Sequence, residues 1–192
     1  MMEDSDAALV SRAREGDQDA ARALVERHSA RLFQLAYRMT GNEHDAEDIV
    51  QESLLKAFRS LGRYDNRAEF GAWLRRITSN CAIDHIRKRQ RQRTTSMAGH
   101  AGEDDLQMEI ASGELAPDHR ALNAETFATV ERAMGALSET ERAAFVLRHF
   151  EGRSIGDIGR LLGSGESATK QSVFRAVQKM RKALEPLMNA RV

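Results

Sequence analysis

Four carboxylates crowd one stretch of the chain, Asp45, Glu47, Asp48 and Glu52, and carboxylates projecting from helices can hold a pair of divalent metals. Such a centre also needs Glu-x-x-His pairs. None of the six histidines (His28, His44, His85, His100, His119 and His149) follows a glutamate by three residues. Cys81 is the single cysteine, so neither an internal disulfide nor a thiolate metal cage is available. It stands one turn before His85 and is expected in the core, with His85 at the surface. No Ser-His-Asp or Cys-His-carboxylate trio and no glycine-rich phosphate loop appears. The expected chemistry is recognition rather than catalysis, with no metal and no cofactor. Asp45, Asp48, Gln51, Glu52 and Lys56 instead share one charged helix face, solvated by default and able to dock a partner.

Two further groups carry binding chemistry. Tyr64, Asn66, Arg67 and Phe70 form an aromatic-bearing loop beside a basic helix end with Arg75, Arg76, Asn80, Arg87 and Lys88. Stacking aromatics beside phosphate-binding cations suit single-stranded nucleic acid. Trp73, at helical spacing between Phe70 and Ile77, reads as core. Near the C-terminus, Lys170, Gln171, Phe174, Gln178 and Arg181 lie on the polar face of a helix, with Arg175 on its flank. A helix in that setting enters the major groove, where Gln, Lys and Arg read base edges and the rest grip phosphates. The alternative is an ordinary helical hairpin with a solvated basic face. Phe174 favours the functional reading, since an aromatic left on a polar face is either an apolar base contact or a sign that the helix register is shifted.

The elements that position these residues are all helical: apolar residues recur at helical spacing between glycines, without strand-like alternation. A first helix runs from about Asp6 to Glu15. Asp17 caps a second, with a stripe of Ala21, Leu24, Val25, Leu32, Leu35, Ala36 and Met39, closed by Gly41. Asn42 caps a third, with Ala46, Ile49, Val50, Ala57, Phe58 and Leu61 inward and Gly62 at its end. After a polar loop, residues 63–68, a fourth carries Phe70, Trp73, Leu74, Ile77 and Cys81 on one face and runs into the Arg87–Arg93 cluster. Residues 94–122 lose the pattern and hold six acids against one base, as a flexible acidic linker does. Ser138 with Glu141 has capping-box spacing, as does Ser154 with Asp157. A short helix to Leu162, a glycine turn at Gly163 and Gly165, and a long helix capped by Ser167 make a helix-turn-helix over about 154–175. Ile155, Ile158 and Leu162 are expected to meet Val173, Val177, Met180 and Leu184. The predicted fold is all-α, with two small helical domains at 5–93 and 123–188.

Composition agrees with that reading. In 192 residues, 41% are hydrophobic and 30% charged, as in a soluble globular protein, and the longest apolar run, residues 143–147, is far too short to span a membrane. The acidic start lacks the basic region of a secretion signal, so a cytoplasmic protein without membrane insertion is expected. Net charge is zero, but its distribution is uneven: 17 basic and 15 acidic residues in 1–93, and 11 and 8 in 123–192. Local basic patches attract phosphates although the sum is neutral.

Together these residues resemble the bacterial extracytoplasmic-function (ECF) sigma factors. DAEDIVQESLLKAF, residues 45–58, is similar to the family's polymerase-binding helix, and FGAWLRRITSNCAIDHIRKR, residues 70–89, to its segment that recognises and melts the minus-10 promoter element. LSETERAAFVLRHFEGRSIGDIGRLLG, residues 137–163, resembles the start of its second domain. The resemblance implies that Asp45, Asp48, Gln51, Glu52 and Lys56 bind the β′ clamp helices of core RNA polymerase. It implies that Tyr64, Asn66, Arg67 and Asn80 line a pocket for a flipped base, with Arg76, Arg87 and Lys88 holding minus-10 DNA. It further implies that Lys170, Gln171, Phe174, Arg175 and Gln178 read the minus-35 duplex, that the preceding helix meets the β flap, that the linker threads towards the polymerase active site, and that an anti-sigma factor controls a stress response. Promoter DNA is then met both as duplex and as melted strand. The chief rival is a helix-turn-helix repressor or activator with a helical effector or dimerisation domain. The chain departs from the family in three places: Glu166–Thr169 replace its usual turn residues, Ser172 replaces a basic one, and Thr78 an alanine.

Overall fold

The computed structural model describes residues 4–97 and 120–189, with side chains over 4–92 and 128–186. Among the described residues there are eight α-helices, one 3₁₀ turn and no strand. They form two compact units that part between His85 and Ile86.

The first unit holds α1 (Asp6–Arg14), α2 (Gln18–Thr40), α3 (Glu43–Arg59), a 3₁₀ turn (Leu61–Arg63) and the start of α4 (Phe70–Met97). Its boundaries are chemical. Asp17 Oδ1 accepts from the Asp19 and Ala20 amides at 2.9 and 3.1 Å, and Asn42 Oδ1 from that of Asp45 at 3.0 Å. Gly41 ends α2 at φ 70°, where a side chain would be strained. One difference from the sequence reading is that α3 stops at Arg59, not Gly62: the Ser60 hydroxyl donates to the Lys56 carbonyl at 2.7 Å and closes the helix early. Leu9, Val10, Leu24, Leu32, Ala57, Leu61, Tyr64, Phe70 and Leu74 pack into one core. Each large apolar side chain buried there contributes about 1.5–3 kcal/mol. Asp6 ties α1 to α2 through Arg27 at 2.7 Å and the buried His28 at 2.9 Å.

Thr78, the departure from the family's alanine, is fully buried and hydrogen-bonded. Its hydroxyl donates to the Ser53 hydroxyl at 3.0 Å, or to the Leu74 carbonyl at 3.1 Å, so the polar group joins α3 to α4 without an unmet bond.

The second unit holds α5 (Arg120–Gly135), α6 (Glu139–His149), α7 (Ile155–Leu162) and α8 (Glu166–Asn189). Ser138 and Glu141 form the expected capping box at the start of α6. The buried Arg142 donates to the Met134 carbonyl at 3.1 Å, satisfying the end of α5. Two details differ from expectation. The last helix begins at Glu166, which puts Ser167 inside the first turn; the turn is instead fixed by Thr169, whose hydroxyl lies 3.0 Å from the Gly165 carbonyl and 2.9 Å from the Ser164 hydroxyl. The inward face of α8 centres on Thr169, Ala176 and Met180, all buried, with Val173 and Val177 half-buried. Met180 and Leu184 pack with Val130, Ala133 and Met134 of α5 and with Leu137 just beyond it, rather than on α7, whose eight residues are too few to reach them. Helix also reaches into both ends of the expected linker, to Met97 and from Arg120; residues 98–119 lie outside the described residues.

Candidate functional site

Lys170, Gln171, Phe174, Arg175 and Gln178 are all exposed on α8. They span two turns, about 12 Å of helix, which matches the width of a DNA major groove. Phe174 is 63% exposed, the most open large apolar side chain of the described residues. Nothing in this unit covers it. Lys170 pairs with Glu166 one turn earlier at 2.8 Å, and the lysine hydrogen bond draws the Glu166 carboxyl below its ordinary range.

What aims this face is the α7–α8 turn. Gly163 takes φ 66°, and Gly159 lies so close to the turn that a Cβ there would stand 2.8 Å from the Ser164 carbonyl oxygen. At the start of α7, the Ser154 hydroxyl caps the Asp157 amide at 3.1 Å, and its hydrogen bond with the carboxylate, then Arg160, lowers the Asp157 pKa.

In the first unit the α3 face is mostly as expected. Asp48, Gln51, Glu52 and Lys56 are exposed. Lys56 bonds Glu52 at 2.7 Å, which raises its pKa, and approaches the Cys81 sulfur at 3.6 Å. Burial pushes the Cys81 thiol up, as suits a packing residue rather than a nucleophile. Asp45 departs from this face: it is half-buried, 3.1 Å from His85 Nε2, and His85 is correspondingly drawn in from the surface position expected for it. Leu55, 53% exposed among these polar groups, escaped sequence reading because the adjacent Leu54 is half-buried and the two are indistinguishable by type.

The residue 64–69 loop requires a correction. Tyr64 was expected to line a base pocket, but it is 7% exposed, and its hydroxyl donates to the Ala68 carbonyl at 2.5 Å. Its ring packs edge-on against Phe70 at 5.5 Å and lies 5.1 Å from Trp73, and burial raises the phenol pKa. A ring held there has no free face for a base. Asn66 and Arg67 remain exposed, and Asn66 takes φ 57°. On α4, Arg76, Asn80 and Lys88 are exposed and Arg87 is half-buried. Arg76, Asn80 and Arg87 share one side of the helix over about 16 Å, and Lys88 stands about 100° away from it.

Among the described residues no group of three or more His, Cys, Asp and Glu is arranged to hold a metal, and no helix is long and apolar enough to cross a membrane.

Comparison with known proteins gives these faces a setting. Residues 24–92 match the family model for Sigma-70 region 2 and residues 127–180 that for Sigma-70, region 4. The ECF RNA polymerase sigma factor SigW of Bacillus subtilis is 31% identical over 180 residues, 93% of this chain and 96% of that one. The RNA polymerase sigma-H factor of Pseudomonas aeruginosa is 31% identical over 189 residues, 98% of each. Among solved structures, CnrH in complex with the cytosolic domain of CnrY is similar at TM-score 0.50 and 27% identity, covering 95% of this chain and 99% of that one. With an exposed α8 face inside region 4, a polar α4 stripe inside region 2, and identity running nearly end to end, the chain belongs to the ECF RNA polymerase sigma factors and directs promoter-specific transcription initiation.

Proposed function

We propose that the exposed α8 face (Lys170, Gln171, Phe174, Arg175 and Gln178) reads the minus-35 duplex, and that Asn66, Arg67, Arg76, Asn80, Arg87 and Lys88 take the melted minus-10 strand. The observation that carries the proposal is Phe174, left open to solvent amid amides and cations on a helix that follows a tight turn. Tyr64 acts one step removed, as part of the frame beneath the loop. Asp48, Gln51, Glu52 and Lys56, with Leu55 at their centre, dock on the β′ clamp helices of core polymerase, while Asp45 steadies the α3 start through His85. The helices before α8 meet the β flap. In this reading residues 5–93 and 123–188 work as separate modules joined by an acidic linker, the chain performs no covalent chemistry of its own, and it acts in the cytoplasm. An anti-sigma factor covering these surfaces would hold it inactive; CnrH, which the chain resembles, is seen with the cytosolic domain of CnrY.

The test is transcription in vitro with core polymerase on fragmented genomic DNA, mapping transcript 5′ ends against a control without the protein. Discrete protein-dependent starts sharing two sequence elements support the assignment of both faces. Starts that survive removal of the whole α8 face would refute the minus-35 assignment, and duplex binding by the free protein without any new start would turn the reading to a repressor.

A further inference from the structure

The loop proposed to present Asn66 and Arg67 is held from within only by exposed contacts, Asp65 accepting from the Arg67 amide at 3.2 Å and pairing with Arg67 Nε at 3.2 Å. Residues 65–69 are all exposed and lie outside helices, and Asn66 sits in the left-handed region, which asparagine tolerates without being confined to it. A base-reading amide is useful only if the loop is held before the base arrives, because ordering it on binding subtracts from affinity.

The hold comes from α1. Arg14, in its last turn, donates from Nε to the Leu61 carbonyl at 3.1 Å and from Nη2 to the Tyr64 carbonyl. Its guanidinium also lies 5.9 Å from the Tyr64 ring centroid. Two carbonyls three residues apart are bridged by one planar fork, which a lysine ammonium, a single point of charge, does not reproduce. From Tyr64 the restraint passes on through the hydroxyl to the Ala68 carbonyl at 2.5 Å, at the far side of the loop. Between them the Asp65 carboxylate accepts from the Arg67 amide at 3.2 Å. The clamp is itself fixed: Leu9 and Val10 are in the core one turn before Arg14, and Asp6 ties the other end of α1 to Arg27 and His28.

We infer that Arg14 is a positioning residue for base capture, locking the Leu61–Tyr64 turn and thereby the loop that carries Asn66 and Arg67. This rests on the base-capture reading of that loop. It assigns α1 a part in promoter opening although α1 itself supplies no group to the DNA.

Trp73, the single tryptophan, reports on the clamp because its ring is 5.1 Å from that of Tyr64. The experiment compares full-length wild type with Arg14→Met, Arg14→Lys, Asn66→Ala and Asn80→Ala. It measures affinity for core polymerase, permanganate-reactive open complexes on a promoter recovered by the transcription test, and acrylamide quenching of Trp73. Arg14→Met is expected to lower open complexes about tenfold, the scale of one lost charge-assisted hydrogen bond, to keep core affinity within about twofold, and to expose Trp73 to quencher. Arg14→Lys is expected to recover part of the loss. If Asn66→Ala and Asn80→Ala lower open complexes while Arg14→Met does not, Arg14 positions nothing and the inference falls alone. If neither asparagine matters, the base-capture reading falls and takes the inference with it. A parallel loss of core affinity in Arg14→Met would assign Arg14 to general folding and overturn its positioning role.

Discussion

Replacing Gly159 by alanine pushes a methyl group into the turn that aims the recognition helix. The added Cβ would stand 2.8 Å from the Ser164 carbonyl oxygen and 3.0 Å from Thr169 Oγ1. Carbon and oxygen rest together at about 3.3–3.6 Å, so the turn must open by about half an ångström. The obstacle is backbone, and it belongs to the same turn as the Ser164–Thr169 hydroxyl pair at 2.9 Å. Overpacking of this kind costs about 1–3 kcal/mol, and a stretched hydrogen bond adds about 1 kcal/mol. Against this, alanine favours a helix over glycine by about 1 kcal/mol. Steric strain wins, and the net expectation is a loss of about 1–3 kcal/mol.

Gly156, in the same helix, provides the matched control because a Cβ there meets nothing within 4 Å. Gly156→Ala should therefore be neutral or stabilising by up to about 1 kcal/mol. Urea unfolding of the full chain by far-ultraviolet circular dichroism reads both units, whereas Trp73 emission reads only the first. Gly159→Ala is expected to move the dichroism transition, leave the Trp73 transition in place, and weaken minus-35 duplex binding by the holoenzyme. Stabilisation equal to that of Gly156→Ala would refute the steric argument.

Three other outcomes are expected. Glu141 is buried, which alone would raise its pKa, but the Lys179 hydrogen bond at 2.7 Å and the Ser138 amide at 3.0 Å outweigh burial and hold it below the ordinary value. A depressed folded pKa stabilises above the unfolded value, about 4.3, and loses that contribution as pH falls through the folded one, so the gap between wild type and Glu141→Gln, about 1–2 kcal/mol at pH 7, should narrow as pH falls below about 4.3 in pH-dependent urea unfolding. Asn66→Gly should preserve stability, because glycine accepts φ 57°, while Asn66→Ala loses about 1 kcal/mol; equal loss of open complexes in both identifies the amide as the reading group, and normal opening with glycine reduces Asn66 to a backbone role. Lys170→Ala should lower the slope of log affinity against log salt for promoter binding by about one, and an unchanged slope would leave Lys170 with Glu166 and away from phosphate.

Most features set by neighbouring residues were legible in the sequence, the Ser167 cap and the end of α3 excepted, and those set across the chain were not. Asp17, Asn42, Ser138 and Ser154 cap where their types and spacing put them, because a cap involves groups only two or three residues apart. The α8 face was legible for a related reason: polar residues on one side of a long helix need no partner to be exposed. Tyr64 was not, since its burial follows from Phe70 and Trp73 on another element and from α1 beneath it. The α8 core register was missed at Ala176, because alanine looks indifferent in sequence and is decided by how near α5 and α6 approach. Arg14 had no signal at all: its partners are backbone carbonyls 47 and 50 residues away, and carbonyls carry no residue type.

The burial of the loop aromatics changes how promoter opening must be balanced. Extruding a base costs a few kcal/mol of stacking. A stacking aromatic could return about 1–3 kcal/mol, but Tyr64 and Phe70 are buried and meet edge-on at 5.5 Å, and the half-buried Trp73 lies tilted against both at 5.1 and 5.6 Å. What faces solvent is amides and cations, and each neutral hydrogen bond returns only about 0.5–1.5 kcal/mol net. In the proposed base-capture role Asn66 and Asn80 together match the cost only if the loop is ordered beforehand, by Arg14 and by the buried Tyr64 that it holds. In the proposed minus-35 reading the division is reversed in the second unit, since the duplex would stay stacked and the exposed Phe174 can remain on the α8 face. Neither face then grips strongly alone, and a chain of zero net charge supplements them only through local basic patches. It follows that measurable promoter affinity should appear only in the polymerase complex, and that free protein should bind even its own promoter with an affinity close to that for unrelated duplex.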